Sequence, residues 1–189
     1  MSARRLHRGK AFSWYRNALA WDKRVTRLWQ RVPMTPWSGR ALLSLVWLGD
    51  GWVWLLFALF LAWLLPGERV IALVGQGLTA AVVSLMFYWG VKAAIRRSRP
   101  HTLSRRIVPR VLPRDLYSFP SGHTMNNLAI GVSLAAHVPA LWPIVLLAPL
   151  LIGLLRVMAG VHFILDVVAG AVFGLLSGAA AVGLYALLR

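Results

Sequence analysis

Three polar residues stand at fixed offsets inside otherwise apolar, membrane-length sequence: Arg156, His162 and Asp166. An imidazole beside a carboxylate makes a nucleophile or a proton relay, and a guanidinium offers a forked donor to a phosphoryl group. Ionisable residues inside membrane-length apolar sequence are costly, so each needs a partner. His162 and Asp166, four residues apart, are expected on one helix face, with the carboxylate accepting from one ring nitrogen and leaving the other free. Taken alone, the pair fits a nucleophile, a proton relay or a structural hydrogen bond.

Two more clusters carry matching chemistry. Lys92 and Arg99, seven residues apart, are expected to project from the same side of the end of one helix. Two fixed cations there suit an oxyanion, or else anchor the helix at the membrane surface. Pro120-Ser121-Gly122-His123 is expected to open a helix. Its first N–H groups, the Ser121 hydroxyl and the close approach that Gly122 permits would hold an anion beside His123. The same tetrapeptide also reads as a plain helix cap.

The elements that must position these groups are membrane helices. The chain has 189 residues, of which 59% are hydrophobic, and ten tryptophans, too apolar a composition for a soluble domain. Expected spans run at about 41–65, 69–91, 120–138, 140–158 and 162–188. Five spans put segments 1–40, 92–119 and 156–162 on one membrane face, so the three clusters meet by topology. The first span is interrupted by Leu48-Gly49-Asp50-Gly51, and Asp50 is expected to pair with a cation of the bundle in a structural role. Pro100, Pro109 and Pro113 make 92–119 a loop of functional length.

The formal charge is +16, from 21 Lys or Arg and five Asp or Glu. Ten of the basic residues lie in 1–40 and eight in 92–114. Because they flank spans, anionic lipid head groups are the expected partners and nucleic acid is not. Residues 11–31 mix aromatics with Asp22, Lys23, Arg24 and Arg27, the pattern of an amphipathic helix lying in the interface or of a solvated basic tail. No apolar signal segment with a cleavage site precedes residue 40, so no processing is expected. With no cysteine, neither disulfides nor thiolate metal sites form.

In order and spacing, Lys-x6-Arg-Pro from Lys92, Pro-Ser-Gly-His at 120–123 and Arg-x5-His-x3-Asp from Arg156 resemble the three-part signature of the type 2 phosphatidic acid phosphatase (PAP2) superfamily. One position departs from it: Leu155 stands where the family usually has Ser. The Leu48-Gly49-Asp50-Gly51 turn also looks like short bacterial members, which are integral membrane lipid phosphatases.

The resemblance implies an all-α membrane bundle of about five transmembrane helices plus an N-terminal amphipathic helix. It would form one domain over 1–189, with 1–40 as the basic interfacial segment and 41–189 as the catalytic core. It implies His162 as a nucleophile forming a phosphohistidine, Asp166 orienting it and His123 as acid and then base. Lys92, Arg99, Ser121, the Gly122 amide and Arg156 would bind the phosphate. No metal ligand and no cofactor is expected, and the partners are a lipid phosphate substrate and anionic lipids of the bilayer.

A polyprenyl diphosphate such as undecaprenyl diphosphate is the favoured substrate, with Arg96, Arg97, Arg105, Arg106, Arg110 and Arg114 facing a polyanionic head group or neighbouring lipids. Phosphatidylglycerophosphate, phosphatidic acid and lipid A phosphates are the alternatives, and a non-catalytic anionic-lipid-binding protein is the reading outside enzymes. The location implied is a bacterial plasma membrane. The positive-inside rule places the active face in the cytoplasm, whereas the resemblance implies the outer face.

Overall fold

The computed structural model describes residues 3–103, 107, 109–113 and 115–188; of residues 3–12, 14 and 15 it describes the backbone alone. Arg105, Arg106 and Arg114, expected near a head group, lie outside the described residues. Every long element is a helix. In order these are α1 (Ala3–Gln30), α2 (Pro36–Trp47), α3 (Val53–Leu64), α4 (Gly67–Ile95), the single turn α5 (Pro100–Leu103), α6 (Gly122–Ala135), α7 (Trp142–Met158) and α8 (Ile164–Leu187).

Among the described residues, four stretches are long and apolar enough to cross a membrane: Pro36–Leu64, Gly67–Ile95, Pro139–Met158 and Ile164–Leu187. Helix α6, where a further span was expected, has only 14 residues. At 1.5 Å per residue it covers about 21 Å, short of a hydrocarbon layer of about 30 Å. Ten of its 14 residues are buried, so α6 is the axis about which the longer helices pack.

Glycine on α8 makes that packing close. A Cβ at Gly170, Gly174 or Gly178 would stand 2.6, 2.7 or 2.8 Å from the carbonyl oxygens of Ser121, Met125 and Ala129. Small residues every fourth position let two backbones touch, the usual basis of helix association where burial from lipid gives no drive. The rising register of both partners makes α6 and α8 parallel. Helix α4 runs antiparallel to α6, since Gln76 donates to the Ser133 carbonyl at 2.9 Å and Ser84 donates to Asn126 Oδ1 at 2.6 Å.

The first span bends in the middle. Thr35 caps α2 by accepting from Ser38 N–H at 3.1 Å, with Pro36 at the start of the helix, where its missing N–H costs nothing. A π-helical turn, Leu48–Trp52, then separates α2 from α3, and within it Gly51 adopts φ 110°, which only glycine takes without strain. That turn aims Asp50 into the bundle. Helix α1 lies against α7 and α8, with Asp22 and Thr26 buried.

Candidate active site

A cavity of about 390 Å³ opens at one end of the bundle, lined by groups from five parts of the chain: Asp50, Arg99 with Asp115, His123, Arg156 and His162. Tyr88 and the Gly122 backbone complete its polar wall, and Trp54, Ala81 and Ile130 form its inner end. The three clusters separated in sequence therefore converge on one space.

Helix α4 ends at Ile95 because Arg96 turns into the left-handed region, φ 45°. Lys92 and Arg99 consequently do not share a helix side, contrary to the expectation from their spacing. They meet through Asp115 instead: Lys92 Nζ lies 2.8 Å from Asp115 Oδ1, and Arg99 forms a short ion pair with the same oxygen. Arg99 also donates to the Val161 carbonyl at 2.7 Å, which ties it to the loop carrying His162. Lys92 donates to the Tyr88 hydroxyl and Tyr88 donates to Asp115 Oδ2 at 2.8 Å. Burial alone would raise the Asp115 carboxyl, but the hydrogen bonds from Lys92 and Tyr88 and the Arg99 charge outweigh it and hold it at about 2. Asp115 was not singled out in the sequence, where its one signal was being the only acid in a basic loop.

Ser121 is the residue before α6, and its N–H donates to the Asp166 carbonyl at 2.9 Å. Its hydroxyl is fully buried and accepts from Thr124 at 3.1 Å, so it braces the helix start and does not line the cavity as expected. Gly122 does line it; a Cβ there would stand 2.8 Å from the Tyr88 ring, so glycine is what lets α6 begin against that wall. His123, one residue on, points at Asp50.

Asp50 Oδ1 accepts from Arg156 Nη2 at 2.6 Å and is in hydrogen-bond contact with His123 Nε2, while Arg156 also touches that ring nitrogen. The expected cation partner of Asp50 is thus Arg156, and Asp50 proves to be a wall of the cavity. Asn127 fixes the turn that delivers it by donating to the Gly49 carbonyl at 3.0 Å.

His162 precedes α8 and is not on it, so the helix-face argument for His162 and Asp166 fails. What joins them is the helix cap. Phe163 is the capping residue, and Asp166, in the first turn, reaches back so that Oδ2 accepts the Phe163 N–H at 2.8 Å. This places the carboxylate 3.6 Å from His162 Nδ1, ion-pair distance and too long for a hydrogen bond. Burial pushes His162 down to about 4, aided by the Arg99 and Arg156 charges and opposed by Asp166, so its ring is neutral at physiological pH.

Asp166 Oδ1 accepts from Arg97 at 2.7 Å, and Arg97 pairs with Asp22 of α1 at 2.5 Å. Arg97, expected at a lipid head group, is therefore committed to the bundle. Of its neighbours, Arg96 is exposed and donates back to the Ala93 carbonyl at 2.9 Å, and exposed Arg110 contacts the Met34 sulfur. Leu155 packs with the apolar cluster of Leu42, Val46, Ala159 and Val161, so no hydroxyl stands beside Arg156 from that position.

Three cations, Lys92, Arg99 and Arg156, thus face two carboxylates, with one neutral imidazole poised over a carboxylate and a second held by Asp50. Such an arrangement can bind an oxyanion and offer it a nucleophile and a proton donor.

Comparison with known proteins agrees with this chemistry. The sequence model of the PAP2 superfamily matches residues 68–188. The fold is similar to that of LpxE from Aquifex aeolicus, with TM-score 0.68 and 27% identity over 85% of this chain and 93% of that one. It is also similar to a transmembrane PAP2 type phosphatidylglycerolphosphate phosphatase from Bacillus subtilis, with TM-score 0.69 and 22% identity over 92% of this chain and 88% of that one. With the family match spanning Lys92 to Asp166 and the apolar helices enclosing the site, the chain belongs to the PAP2 superfamily and is an integral membrane phosphatase.

Proposed function

We propose that this single-domain protein hydrolyses a membrane lipid phosphate or diphosphate without a metal, through a phosphohistidine, with a polyprenyl diphosphate such as undecaprenyl diphosphate as the favoured substrate. The observation that carries the reading is that His162, His123, Arg99 and Arg156 line one cavity, against which a second, apolar cavity lies. A second cavity of about 260 Å³, between α3, α4 and α6, shares Trp54, Ala81 and Ile130 with the first and is lined mainly by Leu, Val and Phe. A phosphorylated head group in the first cavity would place its hydrocarbon chain in the second.

In the first step His162 Nε2 attacks phosphorus, the bond to the leaving oxygen breaks, and that oxygen takes a proton from His123. Asp166 stabilises the positive charge on the phosphorylated ring from the Nδ1 side. Water then attacks phosphorus and gives a proton to His123, and the phosphorus–nitrogen bond breaks, releasing phosphate and neutral His162. Arg99, Arg156 and the Gly122 N–H hold the non-bridging oxygens; Lys92 and Ser121, one layer behind the wall, complete the set. Positioning and charge stabilisation supply most of the acceleration in phosphoryl transfer. We further infer that α6 completes a fifth crossing, that α1 lies in the interface, and that the membrane is a bacterial plasma membrane.

The test is phosphate release by purified protein in nanodiscs with EDTA present, over a panel of undecaprenyl diphosphate, phosphatidylglycerophosphate, phosphatidic acid and lipid A. Turnover should persist in EDTA, be fastest on the diphosphate and vanish in His162→Ala. A preference for a monophosphate would reassign the substrate. Turnover by His162→Ala would overturn the mechanism.

A further inference from the structure

The mechanism does not use a buried polar cluster where the last turns of α1 meet the start of α8. Asp22 is fully buried, its Oδ2 2.5 Å from Arg97 Nη2. Its other oxygen accepts the Leu165 N–H at 3.1 Å, and Thr26 Oγ1 accepts the Ile164 N–H at 3.4 Å. These are among the first N–H groups of α8, which have no partner within their own helix. Helix α1 thus caps α8 from outside.

Arg97 is fixed on every side. Its second nitrogen donates to Asp166 Oδ1 at 2.7 Å, its guanidinium lies 4.1 Å over the Phe163 ring, and its carbonyl accepts the Ser118 N–H at 2.7 Å. An arginine gripped by two buried carboxylates and an aromatic face is not a surface anchor. Its two carboxylates differ in reach: Asp166 faces His162, whereas Asp22 touches only Arg97 and the α8 cap.

We propose that Asp22 and Arg97 are positioning residues, by which α1 holds Asp166 and, through Asp166, the imidazole of His162. This rests on the reading of His162 as the nucleophile. Asp166 has two oxygens for three tasks: the Phe163 N–H and His162 lie at one, Arg97 at the other. With Arg97 removed, Asp166 loses the donor that fixes Oδ1, so the carboxylate is no longer locked in orientation while its whole charge stays beside Nδ1. Among the described residues, the charged and titratable groups that act on His162 or line its cavity are Asp166 of α8, Arg99 and Asp115 of the 96–119 segment, Arg156 of α7, Tyr88 of α4, His123 of α6 and Asp50 of the first span; Arg97 and Asp22 form the layer behind Asp166.

Full-length protein in nanodiscs, labelled with ¹⁵N-histidine, tests this through kcat, KM and the titration of the His162 ring in Asp22→Asn, Arg97→Gln, Arg97→Lys and the exposed control Arg24→Gln. In Arg97→Gln and Asp22→Asn, kcat should fall on the order of 10- to 100-fold, the range expected when a reacting group is slightly misplaced, with KM close to wild type. Arg97→Lys should recover part of it, and Arg24→Gln should match wild type.

The ring titration should move in opposite directions. In Arg97→Gln it rises, because the Asp166 charge is no longer shared; in Asp22→Asn it falls, because the Arg97 charge is no longer matched. A purely structural role would lower the melting temperature while leaving kcat of the folded variants at the wild-type value, and that result overturns the proposal. Wild-type turnover in His162→Ala would remove the nucleophile reading on which it rests, whereas an inactive His162→Ala beside wild-type Asp22→Asn and Arg97→Gln refutes this inference alone.

Discussion

Asp50 and His123 meet across 73 residues of sequence, the carboxylate in hydrogen-bond contact with the imidazole and accepting from Arg156 at 2.6 Å with the same oxygen. The glycines of the π-helical turn make this contact available: Gly49 packs so closely on Ile152 that a Cβ would stand 2.7 Å from it, and Gly51 carries the backbone through φ 110°.

If Asp50 holds His123 for proton transfer, Asp50→Asn should lower kcat by about 10²-fold or more, the usual size of a general acid–base contribution. The hydrogen bond to Arg156 survives in the amide, so the fold should persist. Phosphate release beside a circular-dichroism melt measures both, and wild-type kcat in the variant would leave Asp50 with a structural role only.

A buried, neutral His162 has a consequence for stability. Its folded value of about 4 lies below the ordinary histidine value of 6.5, so the unfolded chain binds a proton that the native protein refuses. Stability from this site is present above pH 6.5 and is lost as pH falls toward about 4. Melting temperatures across that window should fall more steeply in wild type than in His162→Phe. Parallel curves would show that His162 is not a neutral buried base.

Glycines on α8 differ sharply in what they tolerate. A methyl group at Gly174 meets the Met125 carbonyl at 2.7 Å, whereas Gly183 has nothing within 4 Å. Gly174→Ala should therefore destabilise by about 1–3 kcal/mol, the cost of overpacking, while Gly183→Ala should gain about 0.5–1 kcal/mol from helix propensity. Thermal unfolding in detergent compares them, and equal effects would contradict the α6–α8 contact.

Ala81 lines both the polar and the apolar cavity. Ala81→Phe should block the passage and raise KM for long-chain lipid phosphates, leaving a short-chain, water-soluble phosphate unaffected. Equal loss on both substrates would mean that the apolar cavity holds no chain.

Much of this was legible in the sequence because chemistry, hydropathy and spacing are local properties. Lys92, Arg99, His123, Arg156, His162 and Asp166 announce themselves as polar groups in apolar surroundings, and helix bounds follow hydropathy to within a few residues at α4, α7 and α8. The amphipathic pattern of 11–31 likewise marked a helix there, but not that Asp22 and Thr26 on it cap α8.

The sequence by itself determined which groups are present and that apolar helices must carry them to one end of a bundle. Tertiary structure alone decided how they pair. Whether Arg99 continues a helix depends on Arg96 entering the left-handed region, and whether Asp166 meets His162 depends on a reach back to the Phe163 N–H. Asp115 between Lys92 and Arg99, Asp50 beside His123, and Arg97 between Asp22 and Asp166 are pairings across 16 to 75 residues. Charge attraction over such separations is set by where the backbone places each group, and that placement is a property of the packed helices.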